Sequence, residues 1–254
     1  MRHRTFGLFL ALAMSASLVL LHGTADAGDE EKPAGTKEMK EVEAEEMDEA
    51  KRAQKAADVL GAMLKAEDRE IPEYLLSKAE GIAVIPHVVK GAFMVGGRFG
   101  KGLVSARRDD GTWSAPVYVD IGGASYGFQI GVEATDLVLV FVEKGGLEAL
   151  LKDKLELGGN ATIAAGPLGR KASVGTNVTL DSAIYSYSRT KGVFAGVSLE
   201  GAVLNVDGSA NQEIYGKEMT ADQILNGKDV ATPKAAMPFL EALRTYVPEK
   251  QAES

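Results

Sequence analysis

The sequence contains no cysteine. That absence excludes disulfides, thiolate metal sites, a thiol nucleophile and a lipobox for acylation. Histidine is nearly as scarce: His3 and His22 sit close to the N-terminus, leaving His87 alone in the body of the chain. One imidazole without thiols excludes a zinc site, which needs several His or Cys ligands. No metal or other cofactor is expected. Long apolar runs are missing after the first, Phe6 to Leu21, so nothing later reads as a helical membrane span. An excess of positive charge is missing too. The formal net charge is −8, and nucleic acid is an unexpected partner, because neutralising phosphates requires clustered Lys and Arg in excess.

What is present begins with an export signal. Arg2, His3 and Arg4 precede the apolar run, and Ala25-Asp26-Ala27 supplies the small-x-small pattern of a cleavage site. Residues 1–27 therefore read as a signal peptide, and the mature chain is expected in a periplasmic or extracellular compartment. About 225 residues then remain, enough for one core that holds without disulfides. Their charge is uneven. Residues 28–49 hold ten Asp/Glu against three Lys, residues 50–191 carry a net +2, and residues 192–254 a net −4. The first of these segments reads as an acidic linker, with composition turning towards helix from Glu38.

From Ala50 the pattern becomes amphipathic. Ala53, Ala56, Ala57, Leu60, Met63 and Leu64 recur at i, i+3, i+4 and i+7, with Lys51, Lys55, Asp58 and Lys65 opposite and Arg52 at the border. A short helix is predicted after Pro72. Beyond Gly81 the period shortens to that of strands. Ile82 to Ile85 is apolar throughout and is expected to stop at Pro86. Further strands are expected at 92–98, 103–107, 115–121, 125–132, 137–143, 161–165, 172–179, 184–188 and 193–206, with a short helix near 147–152. Asp109-Asp110-Gly111 reads as a turn. Twenty of the 29 glycines fall between Gly91 and Gly201. Glycine weakens a strand, so that density implies sharp bending, bulges or close backbone approach. Thr220-Ala221-Asp222-Gln223 is a capping box, and Phe239, Leu240, Leu243 and Val247 form a last apolar stripe. The expected fold is α+β: a single domain over residues 50–247 with a strongly bent, glycine-rich antiparallel sheet, barrel- or sandwich-like. Helices flank it at both ends, and residues 248–254 form a tail.

Several motifs fail on inspection. Gly96-Gly97-Arg98-Phe99-Gly100-Lys101-Gly102 lacks the Ser or Thr that must follow the lysine of a phosphate loop, and no helix pattern follows for a dinucleotide site. Gly123-Ala124-Ser125-Tyr126-Gly127 fits the Gly-x-Ser-x-Gly spacing of a nucleophile elbow. That elbow needs a strand turning into a helix, whereas Phe128 to Val132 reads as another strand. His87 is the one base left to serve Ser125. Asp120, Glu133, Asp136, Asp181 and Glu200 lie in or beside strands, but no spacing brings two of them together for acid–base work. The chain is not expected to be an enzyme.

The cluster Lys51-Arg52-x-x-Lys55 carries two readings. Its cations can meet anionic head groups while the apolar face enters a membrane interface, or the helix can pack on the sheet with its charges in water. Composition favours the second, because the alanine-rich face offers few large side chains for insertion.

Ordered motifs run through the chain: Lys90 to Gly102, Trp113 to Pro116, Gly122 to Gly131, Thr135 to Val140, Ala165 to Arg170, Tyr185 to Gly192 and Phe194 to Gly201. Together the stretch from about Ile71 to Leu225 resembles the SYLF domain, found in eukaryotic phosphoinositide-binding and actin-patch proteins and in exported bacterial proteins. The resemblance implies peripheral binding of anionic membrane lipid, phosphatidylinositol-type in eukaryotic members, through a basic N-terminal helix. The matching positions are Lys51, Arg52 and Lys55, with Arg98, Lys101, Arg170 and Lys191 as further candidates for the same face. Anionic membrane lipids are then the expected partners, and envelope proteins a second class. The alternative function is a structural or protein-interaction module of the envelope without lipid specificity.

Overall fold

The apolar run that opens at Gly81 lies at the centre of a sheet, and both of its faces are covered. A computed structural model describes residues 34–64, 71–93, 95–125, 131–152, 154–168 and 181–250. Within them β1 (Gly81–Phe93) sends Ile82 and Val84 into one core and Ala83 and Ile85 into a second. That is the two-residue period of a strand, and the run is apolar at each step because neither side meets water.

β2 (Val95–Ala106) and β4 (Gly131–Phe141) flank β1, and β3 (Val117–Ser125) lies outside β2. β9 (Val203–Val206) and β5 (Lys154–Glu156) extend the sheet beyond β3. β7 (Ile184–Thr190) pairs with β4, and its outer edge is shared by β6 (Ile163–Ala165) and β8 (Val193–Gly196). The order is β5-β9-β3-β2-β1-β4-β7-β6, with β8 attached to β7. Every pair is antiparallel except β6–β7, so the sheet is mixed, not purely antiparallel as expected. It is strongly curled.

Helices cover both faces. α1 (Ala34–Leu64), α2 (Glu73–Ser77) and α6 (Met237–Tyr246) enclose the first core. α3 (Lys144–Leu150) and α5 (Ala221–Asn226) close the second. α4 (Gly208–Tyr215) packs against α1 and β3. The predicted apolar stripe of α1 is buried from Ala53 to Leu64. The helix itself starts at Ala34, so it takes in most of the acidic stretch that composition reads as a linker. The capping box forms at α5, with Thr220 accepting from the Gln223 amide and Gln223 reaching back. Phe239, Leu240, Leu243 and Val247 are buried as expected. Among the described residues no helix is long and apolar enough to cross a membrane. The signal peptide expected at 1–27, the strand expected at 172–179 and Arg170 lie outside the described residues.

The sheet departs from expectation where the chain turns. Positions 193–206, read as one strand, divide into β8 and β9, with Gly201 in the left-handed region (φ 76°) between them. Of the strand expected at 125–132, Ser125 ends β3 and positions 131 and 132 open β4, while 126–130 lie outside the described residues. Pro86 does not end β1. The strand passes through it by way of a bulge. Between the pairs Val84–Leu103 and Val89–Phe99, β1 uses four residues where β2 uses three. Against β4 it likewise gains one residue between Ile85 and Val88. His87 occupies the left-handed region at φ 53°, and its amide donates to the Asp136 carboxylate at 3.1 Å. On the other side, Gly100 and Gly102 let β2 lie against the bulge. A Cβ on Gly102 would stand 2.2 Å from the Val84 carbonyl oxygen and 2.8 Å from the Ile85 Cα.

Those distances generate a test. Gly102→Ala is expected to cost about 2 kcal/mol or more, because backbone must move to admit one methyl group. Gly122→Ala on β3, whose Cβ would meet nothing within 4 Å, is expected to be near neutral. Urea unfolding of the two variants beside the parent chain measures the difference.

Candidate functional site

Below the bulge α1 seals the first face of the sheet, and beside it an open groove of about 370 Å³ remains. Asp48, Lys51, Arg52 and Lys55 line it from α1; Pro86, His87, Val89, Phe99, Gly100 and Lys101 line it from β1 and β2. The bulge decides which β1 side chains reach it. Val88 joins the second core, so the next residue, Val89, turns to the helix side. The alternation of β2 puts Phe99 and Lys101 on that side with Leu103.

Seven cations were expected on one face. The structure brings four of them to the groove, and not on equal terms. Lys51 and Lys55 are exposed, one turn apart. Lys51 pairs with exposed Asp48 at 3.1 Å, a contact worth little in water. Lys55 has no ion pair to another described residue. Lys101 is half exposed and reaches Asp207 at 3.3 Å. Arg52 is turned inward. Its guanidinium meets Glu49 at 2.6 Å and Asp207 at 3.2 Å and lies over the Tyr118 ring. It is a partner for carboxylates inside the protein, not an exposed cation. Arg98 projects to the opposite face of β2 by alternation, where burial lowers its guanidinium pKa. Lys191 sits in the turn between β7 and β8 at φ 50°, three strands away from β2.

Of the two readings of the α1 apolar face, packing on the sheet is the one that forms. Ala53, Ala56, Leu60 and Met63 are each 0% exposed. That face builds the first core, because the sheet offers it a dry, complementary surface.

Beneath the groove lies a buried charge cluster that composition did not reveal. Asp207 caps α4: its Oδ1 accepts from the Ala210 amide and the Ser209 hydroxyl, and its Oδ2 accepts from Arg52 and Lys101. Burial acts to raise its pKa, but those hydrogen bonds and the two cations outweigh burial and hold the carboxyl below its usual range. Glu49 fares differently. Burial pushes its carboxyl up to about 7 against the pull of Arg52, with Asp207 adding to the rise. Its Oε2 is buried without a hydrogen-bond partner among the described residues. Asn211 ties the cluster to the sheet, exchanging hydrogen bonds with the Tyr118 amide and carbonyl at 2.9 Å each. The Asp at a helix start was a legible capping signal; Glu49 carried none, since it stands in a run of acidic residues.

Other constellations do not assemble. Ser125 pairs with Gly96 at the far end of β3, while Gly96 pairs with Ala92, five residues along β1 from His87. At a strand rise of ~3.3 Å per residue the two positions stand on the order of 15 Å apart along the sheet, too far for a Ser–His pair. Asp136 is occupied by the His87 amide and Arg189, and Asp120 by Asn205. Among the described residues no group of three His, Cys, Asp or Glu could hold a metal ion. A larger cleft of about 750 Å³ lies at the opposite end of β1, between Glu80, Arg107 and α3. Two of its charges are paired, Lys144 with Asp109 at 2.9 Å and Glu80 with Lys250 at 2.6 Å, and Arg107 donates from Nη2 to the Leu76 carbonyl and lies over the Trp113 ring.

A family model described as Ysc84, Las17-binding protein actin regulator, matches residues 122–246. Protein YSC84 of Saccharomyces cerevisiae is 40% identical over 199 residues, 75% of this chain and 42% of that protein. The chain belongs to the Ysc84 (SYLF) family. An SH3 domain-containing protein of Schizosaccharomyces pombe is 45% identical over 180 residues, 70% of this chain and 41% of that protein. The human SH3 domain-containing YSC84-like protein 1 is 37% identical over 207 residues, 79% of this chain and 60% of that protein. The chain thus spans between 41% and 60% of these relatives. The family model begins in β3, but an alignment over 79% of the chain takes in Lys55 and the β1–β2 hairpin wherever it starts. The Ysc84 description is that of a binding protein and regulator, and Ser125 falls inside the matched segment of such a protein.

The charge cluster of this Ysc84 domain makes stability depend on pH. Between the ordinary glutamate value of 4.5 and about 7, the folded state holds the Glu49 proton while the unfolded chain has released it. Stability therefore falls as pH rises through that window, by on the order of 2–3 kcal/mol. Glu49→Gln removes this titration, so the difference between urea midpoints at about pH 5 and about pH 8 is expected to shrink markedly. Arg52→Gln, which leaves Asp207 and Glu49 short of a cation, is expected to cost about 3 kcal/mol. Lys55→Gln leaves the midpoint unchanged. Thermal or urea unfolding of the two separates a buried role from an exposed one.

Proposed function

We propose that this domain binds anionic lipid at a membrane surface, peripherally and without catalysis, through the groove between α1 and the β1–β2 hairpin. The observation that carries this reading is the placement of Lys51 and Lys55 on the exposed side of α1, across the groove from half-exposed Lys101. Three ammonium groups from two elements converge on one opening, and Lys55 is held by no carboxylate of the described residues. Lysine near an anionic bilayer contributes about 1 kcal/mol each. His87, held at the groove by the bulge, adds an imidazole to its lining. Arg52 supports the site from below by fixing Asp207, which in turn holds Lys101. The export signal read in residues 1–27 supports an exported, envelope-associated setting for this activity.

A second reading has its own support. The matching family is described as Las17-binding, and the relatives' names attach the domain to proteins with SH3 domains. On that reading the same surface engages a protein partner.

Vesicle co-sedimentation of the processed chain, residues 28–254, decides between them. Vesicles containing phosphatidylglycerol are expected to carry the protein down, and phosphatidylcholine vesicles to leave it in solution. Lys51→Gln with Lys55→Gln is expected to weaken the association about thirty-fold, two lysines at ~1 kcal/mol each. Raising salt from about 0.05 to about 0.5 M weakens it as well. Equal behaviour towards both vesicle types, or a doubly substituted chain that binds as before, removes the lipid reading in favour of the protein one.

A further inference from the structure

A basic face alone gives a weak, salt-sensitive hold on a bilayer; stable peripheral binding adds apolar area below the head groups. In this fold α1 cannot supply that area from residues 53–64, because its apolar side is spent on the core. The groove offers another source. Val89 and Phe99 are direct cross-strand partners immediately past the bulge. They are 38% and 55% exposed, two of the four large apolar side chains exposed among the described residues. One step below, the equivalent pair Val84 and Leu103 is 0% exposed, sealed into the first core. The bulge is what separates covered from uncovered. Lys101 stands two residues from Phe99 on the same strand face, ~7 Å away at the strand rise, and Lys51 and Lys55 face the pair from the helix.

We infer that the Val89–Phe99 pair is the membrane-inserting element of the groove, entering the acyl boundary while Lys51, Lys55 and Lys101 engage lipid phosphates around it. This deepens the lipid reading above and rests on it. The surrounding charge argues for a bilayer over a protein as the occupant. Lysine is depleted at protein interfaces, where burying its ammonium is costly, but it suits a head-group layer, where the stem lies along apolar surface and the ammonium stays among phosphates. An aromatic ring ringed by lysines on one exposed face matches the layered polarity of a lipid interface.

The test uses the processed chain and vesicles of phosphatidylglycerol, with and without bromine on the acyl chains. Phe99→Trp puts an indole at the proposed depth. Trp113, the one native tryptophan, is 5% exposed, and the unsubstituted chain gives its background. The introduced indole is expected to shift to shorter wavelength on binding and to be quenched by the brominated lipid, with the background unchanged. Phe99→Ser is expected to lower vesicle association about ten-fold, without moving the unfolding midpoint, since the ring is more than half exposed. Two results overturn the inference. If the chain binds the vesicles but the indole is not quenched and Phe99→Ser binds as before, insertion at this pair is wrong and the lysine-based lipid reading survives. If the chain ignores anionic vesicles altogether, both fall together.

Discussion

One extra residue in the central strand sets the geometry of everything near the groove. Pro86 brings no amide to the ladder and His87 takes a left-handed backbone, two faults that a strand flanked on both sides would ordinarily not tolerate. They persist because each neighbour compensates. Asp136 on β4 accepts the His87 amide, and Gly100 and Gly102 on β2 yield the space into which the bulged backbone leans. A shift of one residue turns each later side chain to the other face. Val88 therefore enters the second core, and Val89 faces the helix side. Had β1 run on without the bulge, Val88 would stand beside Phe99 on the helix side, and Val89 would turn to the second core.

The helix that forms the groove's other wall is fixed by charge as much as by packing. Ala53, Ala56, Leu60 and Met63 hold α1 against the sheet, but small alanine side chains constrain the roll of a helix weakly. Asp207 constrains it well. One carboxylate starts α4, receives Arg52 from α1 and receives Lys101 from β2. Burying such a cluster is costly, and the cost shows in Glu49, which gives up much of its acidity and leaves one oxygen unpartnered. Its effect is to set Lys101 at a defined distance from Lys51 and Lys55. Cations on separate flexible surfaces would not be held in this way.

Much of the fold was legible in the chain, and the reasons differ by element. The 3.6-residue stripe from Ala53 to Leu64, the two-sided β1, the capping box at Thr220 and the last stripe at Phe239 were each written in local pattern, and each formed. What was hidden depended on partners distant in sequence. Pro86 reads as a terminator because the carboxylate and glycines that rescue it lie on other strands. Arg52 reads as a surface cation because Asp207 is 155 residues away. Phe99 stands inside the glycine run Gly96 to Gly102, whose spacing speaks to close backbone approach and carries no sign that the ring is left uncovered. The parallel pairing of β6 with β7 had no local signal at all.

These features bear on how a domain of this kind can hold a membrane. An amphipathic helix that binds lipid by itself needs both its faces, one for phosphates and one for hydrocarbon. Once such a helix is docked on a sheet, its apolar face is lost to the core, and burying it there repeats along several turns what a bilayer would offer only at its margin. The helix can keep its lysines at the surface but must leave hydrophobic contact to another element. In this chain the nearest uncovered apolar surface is the strand pair that the bulge turns towards those lysines. On the lipid reading proposed above, the site is divided between helix and hairpin. Its affinity depends on their relative placement, and therefore on Asp207 and on the glycines opposite Pro86, none of which needs to touch lipid.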